Sequence, residues 1–386
     1  MEVIILAGGL GTRLRSVVQE VPKCMAPVGG RPFLAYILDW LKMYPIDHVV
    51  FSVGYLKERI IEYIGGEQWP FTYDFALEET PLGTGGGIRL ALDYCREQTV
   101  YVVNGDSFFP VDLQQMSCTG TLTLALQRMR DFDRYGAVSL SGTRITAFRE
   151  KKHCEEGFIN GGVYAIDRSR LDLSSLPEKF SFEKEVLEPM AQSGQLEGWD
   201  GDSYFIDIGI PEDYCRAQWE IPAWFAVQKA SEAVLKADAD TLFLDRDGVI
   251  NRLRPGDYVK SWEEFEYLPG ILQAIRLWSA RFHRLILITN QRGVGKGLMS
   301  DQDLSRIHAH LMKDILETGG RLDLILCCTA LEDSDPRRKP HTGMYDEACA
   351  LFPDISARRS VMLGDSDSDA AFAKACGMAF IRLGQP

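Results

Sequence analysis

Two aspartates stand two positions apart where an apolar run stops: Phe243-Leu244-Asp245-Arg246-Asp247-Gly248. Side chains alternate along a strand, so carboxylates at i and i+2 share a face and can both address one phosphate. Gly248 permits a sharp exit from the strand. Other apolar runs end in groups suited to the same ligand. Leu285-Ile286-Leu287-Ile288 leads to Thr289, a phosphate-binding hydroxyl, and then Asn290. Arg338-Lys339-Pro340 supplies a lysine after a strand near 324–329. Val361-Met362-Leu363-Gly364 opens onto Asp365, Asp367 and Asp369. This many carboxylates around a phosphate would repel it without a divalent cation.

A second collection of phosphate-seeking groups opens the chain. Leu6-Ala7-Gly8-Gly9-Leu10-Gly11-Thr12-Arg13-Leu14 follows a short apolar strand. Its glycines let backbone N–H groups approach phosphates closely. Arg13 can grip a phosphate with two parallel hydrogen bonds, and Lys23, after Pro22, adds another cation. The spacing is neither that of a P-loop nor that of a dinucleotide fingerprint.

With the glycine loop, arginine and later Pro-Lys in this order, residues 1–220 resemble the sugar-nucleotide pyrophosphorylase family, and the likeness continues along the chain. Glu78-Glu79-Thr80-Pro81-Leu82-Gly83-Thr84-Gly85-Gly86 is similar to its base-recognition segment. The resemblance therefore implies nucleotide binding by Gly8, Gly9, Gly11, Thr12, Glu78, Gly83 and Thr84. It implies that Asp106, in Asn104-Gly105-Asp106, and Asp207, in Phe205-Ile206-Asp207-Ile208-Gly209, hold a catalytic Mg2+, whose hard-oxygen preference they suit. It places the sugar phosphate at Tyr135-Gly136, Glu150-Lys151 and Asn160. The implied reaction is direct attack of a sugar-1-phosphate oxygen on the α-phosphorus of a nucleoside triphosphate, with pyrophosphate leaving. Catalysis is then positioning plus charge neutralisation by Mg2+, Arg13 and Lys23. Pro22-Lys23-Cys24-Met25-Ala26-Pro27 and Arg31-Pro32-Phe33-Leu34 look most like the heptose-1-phosphate guanylyltransferase branch, although Cys24 stands where a proline is common.

From about 240 to 386 the chain resembles the haloacid dehalogenase-like phosphatases, which carry nucleophile, hydroxyl, lysine and acid in this order. By that resemblance Asp245 attacks phosphorus and becomes an aspartyl-phosphate. Asp247 protonates the leaving alkoxide and later activates water. Thr289, Asn290 and Lys339 bind the phosphoryl group. Mg2+ sits on Asp245, the Asp247 main-chain carbonyl and Asp365, with Asp369 supporting the metal shell. Thr289-Asn290-Gln291 and Arg338-Lys339-Pro340 look like the branch that includes heptose-bisphosphate and histidinol-phosphate phosphatases. That branch often carries a Cys/His zinc loop. The adjacent Cys327-Cys328 with His341 do not make four tetrahedral ligands, so no zinc is expected.

These groups need strands to end beside one another. Short β-branched runs at 3–6, 48–53, 99–103, 242–245, 285–289 and 361–363 alternate with amphipathic segments such as 32–42, which predicts an α/β protein with mostly parallel sheets. Ligand groups then gather at the strands' carboxyl ends. The resemblances predict a Rossmann-like nucleotide-diphospho-sugar transferase fold at 1–222, and a haloacid dehalogenase-like Rossmannoid fold without a large cap at 239–386. A helical linker, beginning after Pro222, is expected at 223–238. Residues 261–281 read as one helix.

At 386 residues with 46% apolar content the chain can fill two cores. Its net charge of -13 and lack of a dominant basic patch argue against nucleic acid as a partner. No apolar run approaches the length needed to span a bilayer, and with a strand-like start no signal peptide is expected. Nine scattered cysteines read as reduced thiols. A cytoplasmic enzyme with small-molecule partners is expected, compatible with a homo-oligomer. The resemblances together imply removal of the 7-phosphate of a heptose 1,7-bisphosphate and conversion of the heptose 1-phosphate to GDP-heptose for bacterial surface polysaccharide. A hexose 1-phosphate, another nucleotide, a histidinol-phosphate-like phosphatase substrate or a non-catalytic half remain open at this point.

Overall fold

The computed structural model describes residues 1–9, 14, 17, 18 and 20–384. The chain divides into two units, Met1–Gln218 and Trp219–Pro386.

The first unit is built on a nine-stranded sheet. Thr72–Leu77, His48–Val53, Glu2–Leu6 and Thr99–Asn104 lie side by side and parallel. Their side chains Ile4, Val50, Val100 and Val102 pack with Ile88, Ala91 and Leu92 of the helix Gly83–Leu92. Cys154–Asp167 then runs antiparallel to Thr99–Asn104, followed by Leu122–Phe132, Leu196–Asp200, Arg144–Phe148 and Ala137–Ser141. Parallel pairing, expected for most of the sheet, therefore holds for about half of it. Tight returns such as Ser141 to Arg144 allow antiparallel pairing without a crossover helix. A separate two-stranded pairing joins Ser107–Phe108 to Ile206–Asp207.

The second unit has five parallel strands in the order Leu324–Cys328, Arg284–Asn290, Thr241–Leu244, Ser360–Gly364, Ala379–Arg382. Alternation divides each apolar run between two faces. Leu242, Leu244, Leu285, Leu287, Val361 and Leu363 meet Ile271, Ile275, Trp278, Ile307 and Leu311 on one side. Phe243, Ile286, Ile288 and Met362 meet Met344, Ala348 and Phe372 on the other. Continuous apolar strands covered on both faces are the signature of a buried parallel sheet. The segments between Asp245 and Thr289, and between Thr289 and Lys339, supply helices Ile271–Arg281 and Asp301–Glu317 to the layered core, not a large cap.

Two helix expectations are corrected. The segment 261–281 is a single turn, Trp262–Glu264, and a separate helix, Ile271–Arg281. Pro269 and Gly270 part them, with Gly270 at φ 79°. The helix expected after Pro222 begins at Pro211 and runs to Leu235, with Pro222 inside it. Pro211 followed by Glu212 and Asp213 is itself a favourable helix start, while an internal proline costs a backbone hydrogen bond without always ending the helix.

Candidate active sites

In the first unit, parallel strands deliver the loop after Leu6 and the loop after Asn104 to one cavity of about 490 Å3. Gly8, Gly9, Lys23, Glu78, Gly83, Thr84, Asn104 and Asp106 are among its lining residues. Gly11, Thr12 and Arg13 lie outside the described residues. The Gly105 N–H donates to the Leu6 carbonyl at 2.9 Å. A Cβ at Gly105 would stand 2.6 Å from that oxygen, so this turn requires glycine.

Glu78 reaches under Gly8, where a Cβ would fall 2.3 Å from its Oε1. The Ser52 hydroxyl donates to Oε1 at 3.0 Å and the Leu82 N–H to Oε2 at 3.0 Å. The glycines from Gly83 onward have a second purpose that the sequence did not reveal. A Cβ at Gly85 would lie 2.1 Å from the Phe180 ring, and one at Gly86 2.6 Å from the Glu178 carbonyl. The helix thus packs against the 178–182 segment, and the Thr84 hydroxyl accepts from the Phe182 N–H at 2.9 Å.

Asp106 and Asp207 are far apart in sequence but adjacent in space, because Asp207 pairs with Ser107 across the small two-stranded sheet. Lys23 Nζ donates to Asp106 at 2.7 Å and Asp207 at 3.2 Å. Burial opposes the lysine's charge, yet the two carboxylates hold its pKa above the ordinary value. Burial and the Asp106 charge push Asp207 above the usual carboxylate range even though Lys23 bonds to it. Two acids competing for one ammonium fit a further cation.

On the expected sugar side, Asn160 lies where Cys154–Asp167 shifts register. It donates to the Tyr164 hydroxyl at 3.0 Å and accepts from the Gly162 N–H at 2.8 Å. Gly162, at φ 76°, passes so close to Asn104 that a Cβ would sit 2.5 Å from its amide nitrogen. This brings the bulge against Asn104, a wall of the 490 Å3 cavity. Gly136 is pressed on the Arg149 carbonyl. Tyr135 packs edge-on to Phe205, and both line a smaller cavity of about 220 Å3 beside Asp207. Glu150 and Lys151 are exposed and line neither cavity.

In the second unit the carboxyl ends of three neighbouring strands bring Asp245, Thr289 and Asp365 together. Lys339 is buried and uses all three donors: Asp245 Oδ1 at 2.6 Å, Asp369 Oδ1 at 2.6 Å and the Ile288 carbonyl at 3.1 Å. Asn290 clasps the Lys339 main chain from both sides, accepting from its N–H at 3.1 Å and donating to its carbonyl at 3.2 Å. Asn290 therefore positions Lys339 here. Asp369 is fixed by the cap of helix Asp367–Cys376, where its Oδ2 accepts from the Ser366 hydroxyl at 2.6 Å and the Ser366 N–H at 3.1 Å. Burial raises Asp369, but Lys339 and Ser366 bring it below the usual range.

Carboxylate oxygens of Asp245, Asp365 and Asp369 lie within 4.8 Å of one another. Among the described residues this is the only cluster of three or more such side chains that could share a metal. Gly248, at φ 87°, keeps the approach open, since a Cβ there would fall 2.2 Å from Asp365. Burial pushes Asp245 up to about 7 despite Lys339. A divalent cation on these oxygens would supply the charge that keeps Asp245 ionised and offsets a phosphoryl group.

The Asp247 side chain has its own set of partners beside this cluster. It accepts from Arg246 at 3.0 Å on both oxygens, from Asn251 at 3.0 Å and from Gln291 at 2.7 Å. Burial would raise it, but Arg246 and these hydrogen bonds hold it below the usual range. Arg246 is fully buried and lies 3.4 Å from His308, which burial and the guanidinium push down to about 4. Sequence reasoning gave no role to Arg246, Asn251 or Ser52. An arginine between two strand-end aspartates was the one available signal.

Comparison with known proteins agrees with this geometry. Residues 2–223 match the nucleotidyl transferase family and residues 336–384 the HAD-hydrolase-like family. The chain belongs to the nucleotidyl transferase family and carries a haloacid dehalogenase-like phosphatase as its second half, so it is both a nucleotidyltransferase and a phosphomonoesterase. The first half is 47% identical over 226 residues to D-glycero-alpha-D-manno-heptose 1-phosphate guanylyltransferase of Aneurinibacillus thermoaerophilus, covering 57% of this chain and 98% of that protein. The second is 40% identical over 151 residues to D-glycero-alpha-D-manno-heptose-1,7-bisphosphate 7-phosphatase of Mycobacterium tuberculosis, covering 37% and 78%. The crystal structure of HddC from Yersinia pseudotuberculosis, complexed with GMP-PN, aligns with a TM-score of 0.52 and 34% identity over 56% of this chain and 97% of that one. No helix among the described residues is long and apolar enough to cross a membrane.

Proposed function

We propose that the chain converts D-glycero-alpha-D-manno-heptose 1,7-bisphosphate to GDP-heptose in two steps, each in its own unit. The observation that carries this reading is consecutive chemistry. The 7-phosphatase relative makes the sugar phosphate that the guanylyltransferase relative consumes, and both constellations are present in one chain. Co-occurrence on one chain raises the local concentration of the intermediate.

In the phosphatase step Asp245 attacks the phosphorus of the 7-phosphate. Asp247 gives its proton to the departing sugar alkoxide, then takes one from the water that hydrolyses the aspartyl-phosphate. Thr289 donates to a phosphoryl oxygen, and the Lys339 ammonium offsets the phosphoryl charge. Mg2+ suits the oxygen donors of Asp245, Asp365 and the Asp247 main-chain carbonyl, as well as those of Asp106 and Asp207 in the first unit. In the transferase step the 1-phosphate oxygen attacks the α-phosphorus of GTP and pyrophosphate leaves. Lys23 and Arg13 offset the developing charge.

Glu78 supports guanine as the base. Its carboxylate is held by Ser52 and the Leu82 N–H against the glycine loop. A carboxylate only accepts, and the guanine Watson–Crick edge offers two adjacent N–H donors, unlike adenine, cytosine or thymine. The test is incubation of the full chain with the bisphosphate, GTP and Mg2+, following phosphate, pyrophosphate and product mass. GDP-heptose with one phosphate and one pyrophosphate per turnover is expected. Failure to release phosphate from the bisphosphate, or equal use of other nucleotides, would overturn the reading.

A further inference from the structure

Gln291 follows the strand Arg284–Asn290 and is completely buried. Its main-chain N–H donates to the Cys328 carbonyl of the neighbouring strand at 2.7 Å, so its backbone is anchored. Its side-chain amide has three partners. Nε2 donates to Asp247 Oδ2 at 2.7 Å and to Thr289 Oγ1 at 2.8 Å, while Oε1 accepts from Arg246 at 3.0 Å. The orientation of the amide is dictated by these neighbours. A guanidinium can only donate and a carboxylate can only accept, so exchanging O and N would break both bonds.

With both N–H groups engaged, the amide constrains what its partners can do. Thr289 is 1% exposed and has a single hydroxyl proton. Since its oxygen accepts from Gln291, that proton must be donated elsewhere. A phosphoryl oxygen, which only accepts, is the matching ligand. The same amide closes the third side of the cage around Asp247, whose other sides are Arg246 and Asn251. An acid that must protonate a leaving alkoxide depends on its aim.

We infer that Gln291 is a positioning residue of the phosphatase reaction, fixing both the aim of the Asp247 carboxylate and the direction in which the Thr289 hydroxyl donates. This rests on the phosphatase reading above. Methionine at 291 keeps the volume and removes all three side-chain hydrogen bonds.

The experiment compares full-length wild type with Gln291→Met on heptose 1,7-bisphosphate and on p-nitrophenyl phosphate, both with Mg2+. An alkoxide needs a proton to leave, whereas nitrophenolate leaves without one. For the bisphosphate, kcat should fall about ten- to hundredfold. For the aryl ester the fall should be at least about threefold smaller, because there Asp247 serves only to activate the water. KM should rise for both esters, because the Thr289 donor is released. An equal kcat loss on both esters, or no loss, overturns the inference. If Gln291→Met does not fold, Gln291→Glu is the second variant: it keeps the size but accepts the Thr289 proton and faces Asp247 with a like charge. It should also lose more on the alkyl than on the aryl ester, and wild-type kinetics in this variant would equally overturn the inference. A wild-type chain inert on the bisphosphate sinks the phosphatase reading and the inference together. An active wild type with an unchanged alkyl-to-aryl ratio in the variants sinks only the role of Gln291.

Discussion

Asp245 and Lys23 serve different reactions, and each can be removed alone. Asp245→Asn keeps the shape but removes the nucleophile, so phosphate release should fall by at least about a thousandfold while pyrophosphate release from GTP and heptose 1-phosphate is unchanged. Lys23→Met should do the reverse, with guanylyl transfer falling about a hundredfold or more. Both are read by separate phosphate and pyrophosphate assays on the same preparation. Glu78→Gln exchanges one acceptor oxygen for a donor, so the kcat/KM preference for GTP over dTTP should drop about tenfold or more. Asp245 was visible in the sequence as a carboxylate after an apolar strand and Lys23 as a cation following the glycine loop, whereas Glu78 came from the family resemblance. Glu150, Lys151 and Asn290 were legible only as types. The first two stand exposed, and the third secures the Lys339 backbone.

The elements carry their own tests. Helix Gly83–Leu92 can approach the 178–182 segment because Gly85 presents no Cβ to the Phe180 ring. Gly85→Ala should cost about 1–3 kcal/mol and raise KM for GTP, since Gly83, Thr84 and Gly87 of this helix line the cavity. Thermal unfolding and GTP kinetics measure the two effects. Strand Glu2–Leu6 begins with a buried glutamate. Burial raises the Glu2 pKa, but the N–H groups of Glu97 and Arg96, each donating at 2.7 Å, and His48 bring it below the ordinary 4.5. A carboxyl depressed on folding stabilises above its unfolded value, and that contribution is lost as pH falls through the folded one. The Tm of wild type should therefore drop faster below pH 4.5 than that of Glu2→Gln, and parallel curves would contradict it. Strand positions followed from β-branched runs, whose pattern is local. Helix boundaries at Pro211 and Gly270 did not, because a proline can start a helix or sit inside one.

For the molecule as a whole, each site is assembled within one unit. A mixture of the Asp245→Asn and Lys23→Met chains should therefore restore conversion of bisphosphate to GDP-heptose, which neither variant achieves alone. A mixture that stays inactive while each variant keeps its remaining half-reaction would show that the two steps must occur on one chain. The order of strand-end motifs along the chain was enough to announce two phosphate-handling enzymes, since alternation and glycine turns act over a few residues. It could not announce which distant groups meet. Lys339 lies between Asp245 and Asp369, Lys23 between Asp106 and Asp207, and Gln291 ties Arg246 and Asp247 to Thr289. Those meetings are set by sheet order and by the packing of both sheet faces, long-range consequences of burial that no local spacing encodes.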